Sequence, residues 1–344
     1  NETRVVLKSG ENIEDYEYEG LKNNLIKNNI YLGKVSRVEP SLQAAFIDFG
    51  RDRHGFLSFN DIQSDYYQIP QSDLAKIKKE EERAREELLK ESELEEQKNI
   101  NDGNLDANDP VEVKPEFELE NNDQIPEVND VPVVDGAQVD ENKEKSSILL
   151  GNKKSEINFR SKRYKIQEVI KPNQVILIQV LKDERGQKGA ALSTFISIAG
   201  KYIVLMPNTP KGGGISRKIF NPGERKKIRT ILNDIVIPKE MGLIVRTAGS
   251  NKTKNDIDHD LQTLIKTWNE IKENALNSIA PSLIHQESDI IKRTLRDMYD
   301  EDTNSIIIEG NEGYKKAQNF MKLMMPSHVK KIKKYRDKVP LFFK

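Results

Sequence analysis

Two phenylalanines in one strand–turn–strand segment have the types and spacing to bind nucleic acid. The segment AAFIDFGRDRHGFLSF predicts two strands that meet near Arg51. Because side chains alternate between the two faces of a strand, Ile47 and Leu57 are expected to face the core, and Phe46 and Phe56 to face outward. A hairpin centred on Arg51 places these two rings directly across from each other.

An outward aromatic pair among cations is a surface on which unpaired bases stack, at about 1–3 kcal/mol per base. The alternative is that both rings are buried under a loop or another domain, as a lone aromatic usually is. Two aromatics in register beside Arg51, Arg53 and His54 favour the stacking interpretation. Further cations of the same predicted β region suit a polyanionic partner: Lys34, Arg37, Lys182, Arg185 and Lys188.

A second constellation lies at the end of the apolar run MGLIVRTAGS. The guanidinium of Arg246 can bind phosphate oxygens through two N–H groups, and the Thr247 hydroxyl with nearby backbone N–H groups can complete the shell. Adjacent strand residues point to opposite faces, so both side chains reach one ligand only if Thr247 already lies in a turn. The alternative is an arginine that pairs with a carboxylate, and the residues alone leave the two interpretations equally open.

Two other motifs give weaker signals. The glycines in GGGISRKI let the backbone approach a ligand beside Arg217 and Lys218, although a glycine run usually makes only a turn. The cluster of Asp256, Asp258 and Asp260 resembles a metal site, but on a helix Asp258 points nearly opposite to the other two. Acids at a helix start also interact favourably with its dipole. We therefore interpret the cluster as capping and solvated charge, and we assign no catalytic or metal-binding residue.

The composition limits the class of protein that must position these residues. The 344 residues are enough for more than one domain, and 32% of them are charged with a net charge of −1. There is no cysteine, which excludes disulfides, thiolate nucleophiles and cysteine-bound zinc within the sequence. No apolar run is long enough to span a bilayer and no signal peptide is apparent, so we expect a cytoplasmic protein.

The predicted elements alternate in type along the chain. Strands are expected over 3–8, 15–21, within 29–59, after about 161, and over 201–206, 241–247 and 304–309, and helices over 222–235, 255–277, 287–299 and 312–325. From about residue 74 to 160 the sequence is acidic and rich in Asn, Glu and Pro. Its first part could form a charged helix, but the segment as a whole is expected to be a disordered insertion between strands.

The segment NNIYLGKVSRVEPSLQAAFIDFGRDRHGFL resembles the RNA-binding barrel of ribonucleases E and G. The segments KDERGQKGAALSTFISIAGKYIVLMPN, GGGISRKI, MGLIVRTAG and APSLIHQESDIIKRTLRD follow in the order of that family. The resemblance covers nearly the whole chain outside the acidic insertion. It implies a multidomain α+β fold, in which an OB-type barrel is inserted into an RNase H-like subdomain and is followed by an α/β 5′-end sensor.

The implied domains follow the chain order. Residues 1–24 and 292–344 are expected to form the two parts of the RNase H-like subdomain, 25–194 the barrel with its insertion at about 74–160, and 195–291 the 5′-sensor. By resemblance, the RNA-contacting residues are Phe46, Phe56, Lys188, Arg217 and Lys218. Arg246 and Thr247 match residues that hold a 5′-monophosphate, and Val204 matches one that packs beside the terminal nucleotide.

The resemblance also implies an activity for the parent protein. The parent protein is expected to be a Mg²⁺-dependent endoribonuclease that is specific for single strands. It is expected to act in rRNA and tRNA processing and in mRNA decay. In the family, the magnesium-binding aspartates follow a segment like VPLF, and zinc-linking cysteines come later still. This sequence stops just after Val339–Phe342, so the 344 residues are expected to bind RNA without cutting it.

The expected partners are single-stranded RNA with a 5′-monophosphate, further copies in a dimer or tetramer, and proteins of an RNA-degradation complex. Attachment to the inner membrane, where the family shows it, uses other regions. The long insertion favours the E type over the G type. The alternative function is a non-catalytic RNA-binding or assembly protein that uses the barrel alone. A carbohydrate- or protein-binding OB module is disfavoured by the cations around the phenylalanines.

Overall fold

A computed structural model describes residues 2–20, 25–80, 83, 164–184, 188–209, 213–238, 240–287 and 289–343. The strands are β1 (Thr3–Ser9), β2 (Asn12–Glu19), β3 (Ile30–Glu39), β4 (Ala44–Asp48), β5 (Gly55–Ser58), β6 (Val175–Lys182), β7 (Ala191–Ser193), β8 (Ile198–Ala199), β9 (Ile203–Met206), β10 (Gly213–Ile215), β11 (Gly242–Val245), β12 (Ser282–His285), β13 (Ile306–Ile308) and β14 (Ile332–Lys334). The helices are α1 (71–80), α2 (Ile166–Val169), α3 (Pro222–Asn233), α4 (Lys254–Asn277), α5 (Ile290–Asp297) and α6 (Asn311–Met324).

Five strands close into a barrel in the order β3-β4-β5-β7-β6, with β6 pairing back onto β3. The contact between β5 and β7 is parallel and the other contacts are antiparallel. Numbered within the barrel, this order is 1-2-3-5-4-1, and the closed five-stranded barrel fits the OB type. Strand β12 adds to the free edge at the start of β3, a pairing that the sequence pattern did not predict.

Alternating apolar residues fill the barrel interior, including Val35, Ile47, Leu57 and Ile178, all of which are fully buried. Each such side chain contributes about 1.5–3 kcal/mol when it leaves water. Gly33 is required where β3 crosses the interior, because a Cβ there would lie 2.6 Å from the Ile47 side chain.

The first residues of the insertion are helical, as the alternative of a charged helix predicted, which corrects the prediction of disorder from about residue 74. Residues 71–80 form α1, because Ile77 gives the charged segment one buried apolar anchor. The Lys78 ammonium pairs with Asp65 at 2.6 Å, and the Tyr164 hydroxyl donates to Asp73 at 2.9 Å. Apart from residue 83, the remainder of the predicted insertion lies outside the described residues.

A second sheet, β10-β11-β9-β8, packs against α4. The predicted apolar stripe of α4 is buried at Ile257, Leu261, Leu264, Trp268 and Ile271. The alternative that the glycine run makes only a turn is wrong for its last two residues. Residues 213 and 214 pair in parallel with β11 as part of β10, since a strand edge supplies the partners that their backbone groups need.

The acidic cluster at the start of α4 serves two structural roles. Asp256 forms a capping box with Thr253, as the capping interpretation predicted. Asp260 was expected to be solvated, which is wrong, because only 6% of it is exposed. Its carboxylate accepts the backbone N–H groups of Lys201 (3.3 Å), Tyr202 (2.8 Å) and Ile203 (3.1 Å). Burial raises the pKa of Asp260, and the three donors lower it by less, so the pKa lies above the usual value of an aspartate.

The C-terminal residues form a third apolar cluster around Leu295, Ala317 and Met321. Here β13 and β14 pair in parallel, so the residues after the predicted helix 312–325 include a strand that the sequence pattern did not predict. The β1–β2 hairpin contacts α5 through an ion pair between Glu17 and Arg293 at 2.8 Å. Within the described ranges, β1–β2 and β13–β14 are separate two-stranded sheets. The RNase H-like subdomain therefore stays a prediction.

Replacing Asp260 with alanine should lower the free energy of unfolding by about 3–5 kcal/mol, because three backbone donors lose their acceptor in a buried turn. Urea denaturation followed by circular dichroism measures this change. Asp258→Ala is the control, since the half-buried Asp258 lies two residues earlier in the same helix. Equal stability of the two variants would contradict the structural role of Asp260.

Candidate nucleic-acid interface

The β4–β5 hairpin has the register that the sequence predicted, with Phe46 directly across from Phe56. Both rings lie on the outer face, where Phe56 is 37% exposed and Phe46 is partly covered. The ring centroids are 6.1 Å apart at an interplanar angle of 76°. Ile47 and Leu57 fill the opposite, interior face, so the local core fixes the direction of both rings.

Cations flank the aromatic pair. The Arg37 guanidinium lies 4.3 Å from the centre of the Phe46 ring, which covers one side of that ring and leaves Phe56 the more open of the two. Lys188 lies beside the hairpin, because the carbonyl of the nearby Ala190 accepts the backbone N–H of Phe56 at 2.8 Å. The Lys188 side chain is exposed. A Cβ at Gly189 would lie 2.1 Å from the His54 carbonyl oxygen, so only glycine allows this approach.

The other cations of the β region differ in position. Lys34 and Lys182 are exposed on β3 and β6, and Arg185 lies outside the described residues. The arrangement combines an accessible aromatic surface with exposed positive charge, the two features that binding of unpaired nucleotides uses.

At the end of β11, Arg246 and Thr247 lie in the geometry that the sequence argument required. Thr247 begins a 3-10 turn, Thr247–Gly249, and its side chain is exposed. The first N–H groups of such a turn have no acceptor within it, and they suit an anion. Gly249 lets the turn pack closely, since a Cβ there would lie 2.9 Å from the Tyr202 carbonyl oxygen.

Arg246 also makes the carboxylate contact that was its alternative interpretation. One terminal nitrogen donates to the Gly200 carbonyl and the other to Asp297, both at 2.7 Å. Asp297 in turn accepts two hydrogen bonds from Arg296, at 3.1 and 2.9 Å. Burial raises the pKa of Asp297, but the bonds and charges of Arg296 and Arg246 outweigh it and hold the pKa below 3.8. The contact therefore orients Arg246 and leaves other guanidinium N–H groups for a ligand.

Apolar side chains continue the surface next to Arg246. Val204 on β9 pairs with Ile244 on β11, and both are partly exposed on the outer face of the sheet. Ile244 and Arg246 share this face because they are two residues apart. A nucleotide whose phosphate lies at Arg246 would have an apolar shelf beside it.

Two lysines lie next to the same sheet end. Lys201 is buried, and its ammonium donates to the Tyr299 carbonyl, while burial lowers its pKa. Lys252 pairs with Glu301 at 2.6 Å and lies 5.4 Å from the centre of the Tyr202 ring. Together they connect the β8–β11 sheet to the loop after α5.

Arg217 and Lys218 are exposed in the turn that follows β10. The same turn exposes Phe220, whose side chain is 78% accessible. Sequence reasoning missed this residue. The signal that could have found it is an apolar ring between a basic pair and the asparagine that caps a helix, where the chain has no core to face.

No group of three or more histidine, aspartate or glutamate side chains within the described residues could hold a metal ion. None of the helices in the described part of the chain is both long and apolar enough to cross a bilayer.

Comparison with known proteins shows extensive similarity. The model of the Ribonuclease E/G family matches residues 197–344. Ribonuclease E of Haemophilus influenzae is 33% identical over 341 residues, which cover 99% of this chain and 27% of that protein. Ribonuclease E of Escherichia coli is 32% identical over 342 residues, or 99% and 24%. A putative ribonuclease E of Buchnera aphidicola subsp. Baizongia pistaciae is 31% identical over 340 residues, or 98% and 62%. The chain therefore spans only part of the length of these relatives.

Asp297→Asn should lower the stability of the protein by roughly 1–2 kcal/mol near neutral pH, because Arg246 and Arg296 lose a charged acceptor. A depressed carboxyl pKa stabilises the fold above the unfolded-state pKa, and this contribution is lost as the pH falls through the lower folded-state value. The difference between wild type and variant should thus persist down to about pH 3.8 and fade below it.

Denaturation midpoints measured between neutral pH and pH 2.5 test this expectation. Glu301→Gln is the control, because its pair with Lys252 is 57% exposed on the glutamate side and is expected to contribute less. A wild-type advantage over Asp297→Asn that grows in acid would contradict the assignment.

Proposed function

The chain is a ribonuclease E/G-like protein, and on that premise we propose that it is the RNA-binding and 5′-monophosphate-sensing portion of a single-strand-specific endoribonuclease. The observation that carries the proposal is the register of Phe46 and Phe56 on the outer face of a closed barrel. The interior of the barrel is filled without them, so their outward position is available for stacking on bases.

The sheet-end residues supply the second half of the proposal. Arg246 and Thr247 bind the terminal phosphate through guanidinium, hydroxyl and backbone N–H groups, and Val204 packs beside the first nucleotide. The turn at Thr247 and the exposed shelf formed by Val204 and Ile244 support this assignment. Arg217 and Lys218 add positive charge from the turn that follows the neighbouring strand β10.

Direct hydrogen bonds connect the barrel to the sheet that holds Arg246. Gln179 of β6 is 1% exposed, and it accepts the N–H of Ser197 and donates to the Ser197 carbonyl, both at 2.8 Å. The Asn208 amide donates to Gln63 at 2.9 Å and to Thr194 at 2.7 Å. These contacts support a fixed distance between the barrel aromatics and Arg246, so that one RNA strand engages both sites.

Cleavage belongs to the proposal for the parent protein. There, Mg²⁺ would orient water for phosphodiester hydrolysis during rRNA and tRNA processing and mRNA decay. The described residues contribute capture of the substrate and sensing of its 5′ end. Assembly into a dimer or tetramer and contact with other RNA-degradation proteins are part of the same proposal.

Arg246→Ala should abolish the preference of the protein for a 5′-monophosphorylated oligoribonucleotide over its 5′-hydroxyl counterpart. The wild-type preference is expected to be about tenfold or more, since a charge-assisted contact to phosphate is lost in the hydroxyl probe. Fluorescence anisotropy with 3′-labelled probes measures both affinities. Lys266→Ala, which removes an exposed cation from α4, should leave the ratio unchanged. Equal wild-type affinities for the two probes would exclude the sensor.

Phe46→Ala should weaken binding of single-stranded RNA by about tenfold, because one stacking surface is lost. The barrel should stay folded, since the ring lies outside its core, and circular dichroism verifies this. Ile13→Ala is the control, because it removes an apolar side chain that is 66% exposed on the β1–β2 hairpin. Unfolding of Phe46→Ala would show that the ring is structural, and unchanged affinity would show that it does not bind RNA.

A further inference from the structure

Phe220 is a large apolar side chain on an otherwise strongly basic surface. It lies between β10 and α3 and is 78% exposed. Four exposed cations lie within seven residues of it, two before the ring and two on the first turns of α3: Arg217, Lys218, Lys226 and Lys227. Within the described part of the chain, none of their side chains forms an ion pair, so their charge is available to a ligand.

The turn that presents the ring is held in place by polar contacts. The Arg225 guanidinium donates to the carbonyls of Ser216 and Ile219, both at 3.2 Å. Ile219 is buried, and Asn221 caps α3 by accepting the N–H of Gly223 at 2.9 Å. The backbone at Phe220 is therefore held between an anchored residue and a helix cap, and this backbone keeps the ring on the surface. The backbone then needs no ordering when a ligand stacks on the ring.

The turn lies at the same end of the sheet as Arg246. The Ser216 N–H donates to the Val245 carbonyl at 2.9 Å, where β10 runs parallel to β11. Adjacent strands are about 4.8 Å apart. Phe220 follows Ser216 by four residues, which span at most about 14 Å. The ring is thus within reach of the first few nucleotides of a strand whose 5′ end lies at Arg246.

We propose that Phe220 stacks on an unpaired base near the 5′ end of bound RNA, while the four cations around it hold the adjacent phosphates. The proposal rests on the proposed function, because it takes RNA as the ligand of the sensor sheet. It adds a third contact site, separate from the barrel aromatics and from the terminal phosphate.

RNA fits this surface better than a protein does. Lysine is depleted where protein interfaces are buried, because its charge must be desolvated. An aromatic ring among lysines and arginines instead matches the two components of a single strand, its bases and its phosphates. Stacking requires that the base be unpaired, so this site favours a single-stranded 5′ region without selecting a sequence.

The test uses the 344-residue chain and a 5′-monophosphorylated, 3′-labelled oligoribonucleotide of about a dozen nucleotides, with affinity measured by fluorescence anisotropy. Phe220→Ala should weaken binding by about 5- to 150-fold, the effect of losing one stacked base. Phe220→Leu should bind like the alanine variant, because it is apolar but does not stack, and Phe220→Trp should bind like the wild type. The matched control is Val236→Ala, since Val236 is 91% exposed beyond the other end of α3.

A series of probes with one abasic position each locates the stacked base. In the wild type, an abasic position near the 5′ end should reduce affinity, and the same position should cause no further loss in Phe220→Ala. Unchanged affinity in Phe220→Ala while Phe46→Ala binds weakly would overturn the stacking site and leave the proposed function standing. Loss of a concentration-dependent self-association in that same variant would assign the ring to protein contact. A wild type that binds no RNA would overturn both proposals.

Discussion

The carboxylate of Asp260 is the contact on which the geometry of the sheet end depends. It accepts three consecutive backbone N–H groups, those of Lys201 to Ile203, and so fixes the turn between β8 and β9. That turn supplies two acceptors to Arg246, the Gly200 carbonyl for its side chain and the Tyr202 carbonyl for its backbone N–H. A residue of α4 thereby determines where Arg246 lies, although it does not contact the arginine side chain itself.

Asp297 holds the same arginine by accepting a hydrogen bond from its other terminal nitrogen. It comes from α5, in the C-terminal part of the chain, whereas Arg246 belongs to the second sheet. The arginine is therefore held between two elements that are distant in sequence. Any displacement of α5 relative to the sheet would change the orientation of the guanidinium, so the packing of the C-terminal part and the direction of the Arg246 side chain are linked.

Much of the barrel site could be predicted from sequence because it depends on local periodicity. The alternation of Ala45, Phe46 and Ile47, with a turn centred on Arg51, is enough to define the register and the outward face. The α4 stripe was predictable for the same reason. The role of Asp260, the contact between Arg246 and Asp297, and the strand pairing of Gly213 were not. Each depends on partners tens of residues away, and the spacing of residues along the chain does not identify such partners.

The sites also differ in what their surroundings require. Around Phe46 the barrel interior is filled by other side chains such as Ile47 and Leu57, so the ring is not part of that core. Phe220 shows the limit of pattern reasoning, because one apolar residue outside any strand or helix has no periodicity to interpret. The structure explains its exposure through the anchoring of its neighbours Ile219 and Asn221.

The bond between Tyr164 and Asp73 has a consequence for how the chain can vary in length. It ties the residues just after the large insertion to the helix at its start, at 2.9 Å. Asp73 and Tyr164 are thus held near each other by a direct hydrogen bond, which does not depend on the number of residues between them. Loop-closure entropy grows only with the logarithm of loop length, at about 0.6 kcal/mol for each doubling. Residues added or removed between these two points therefore change the entropic cost of closing the connection only slightly.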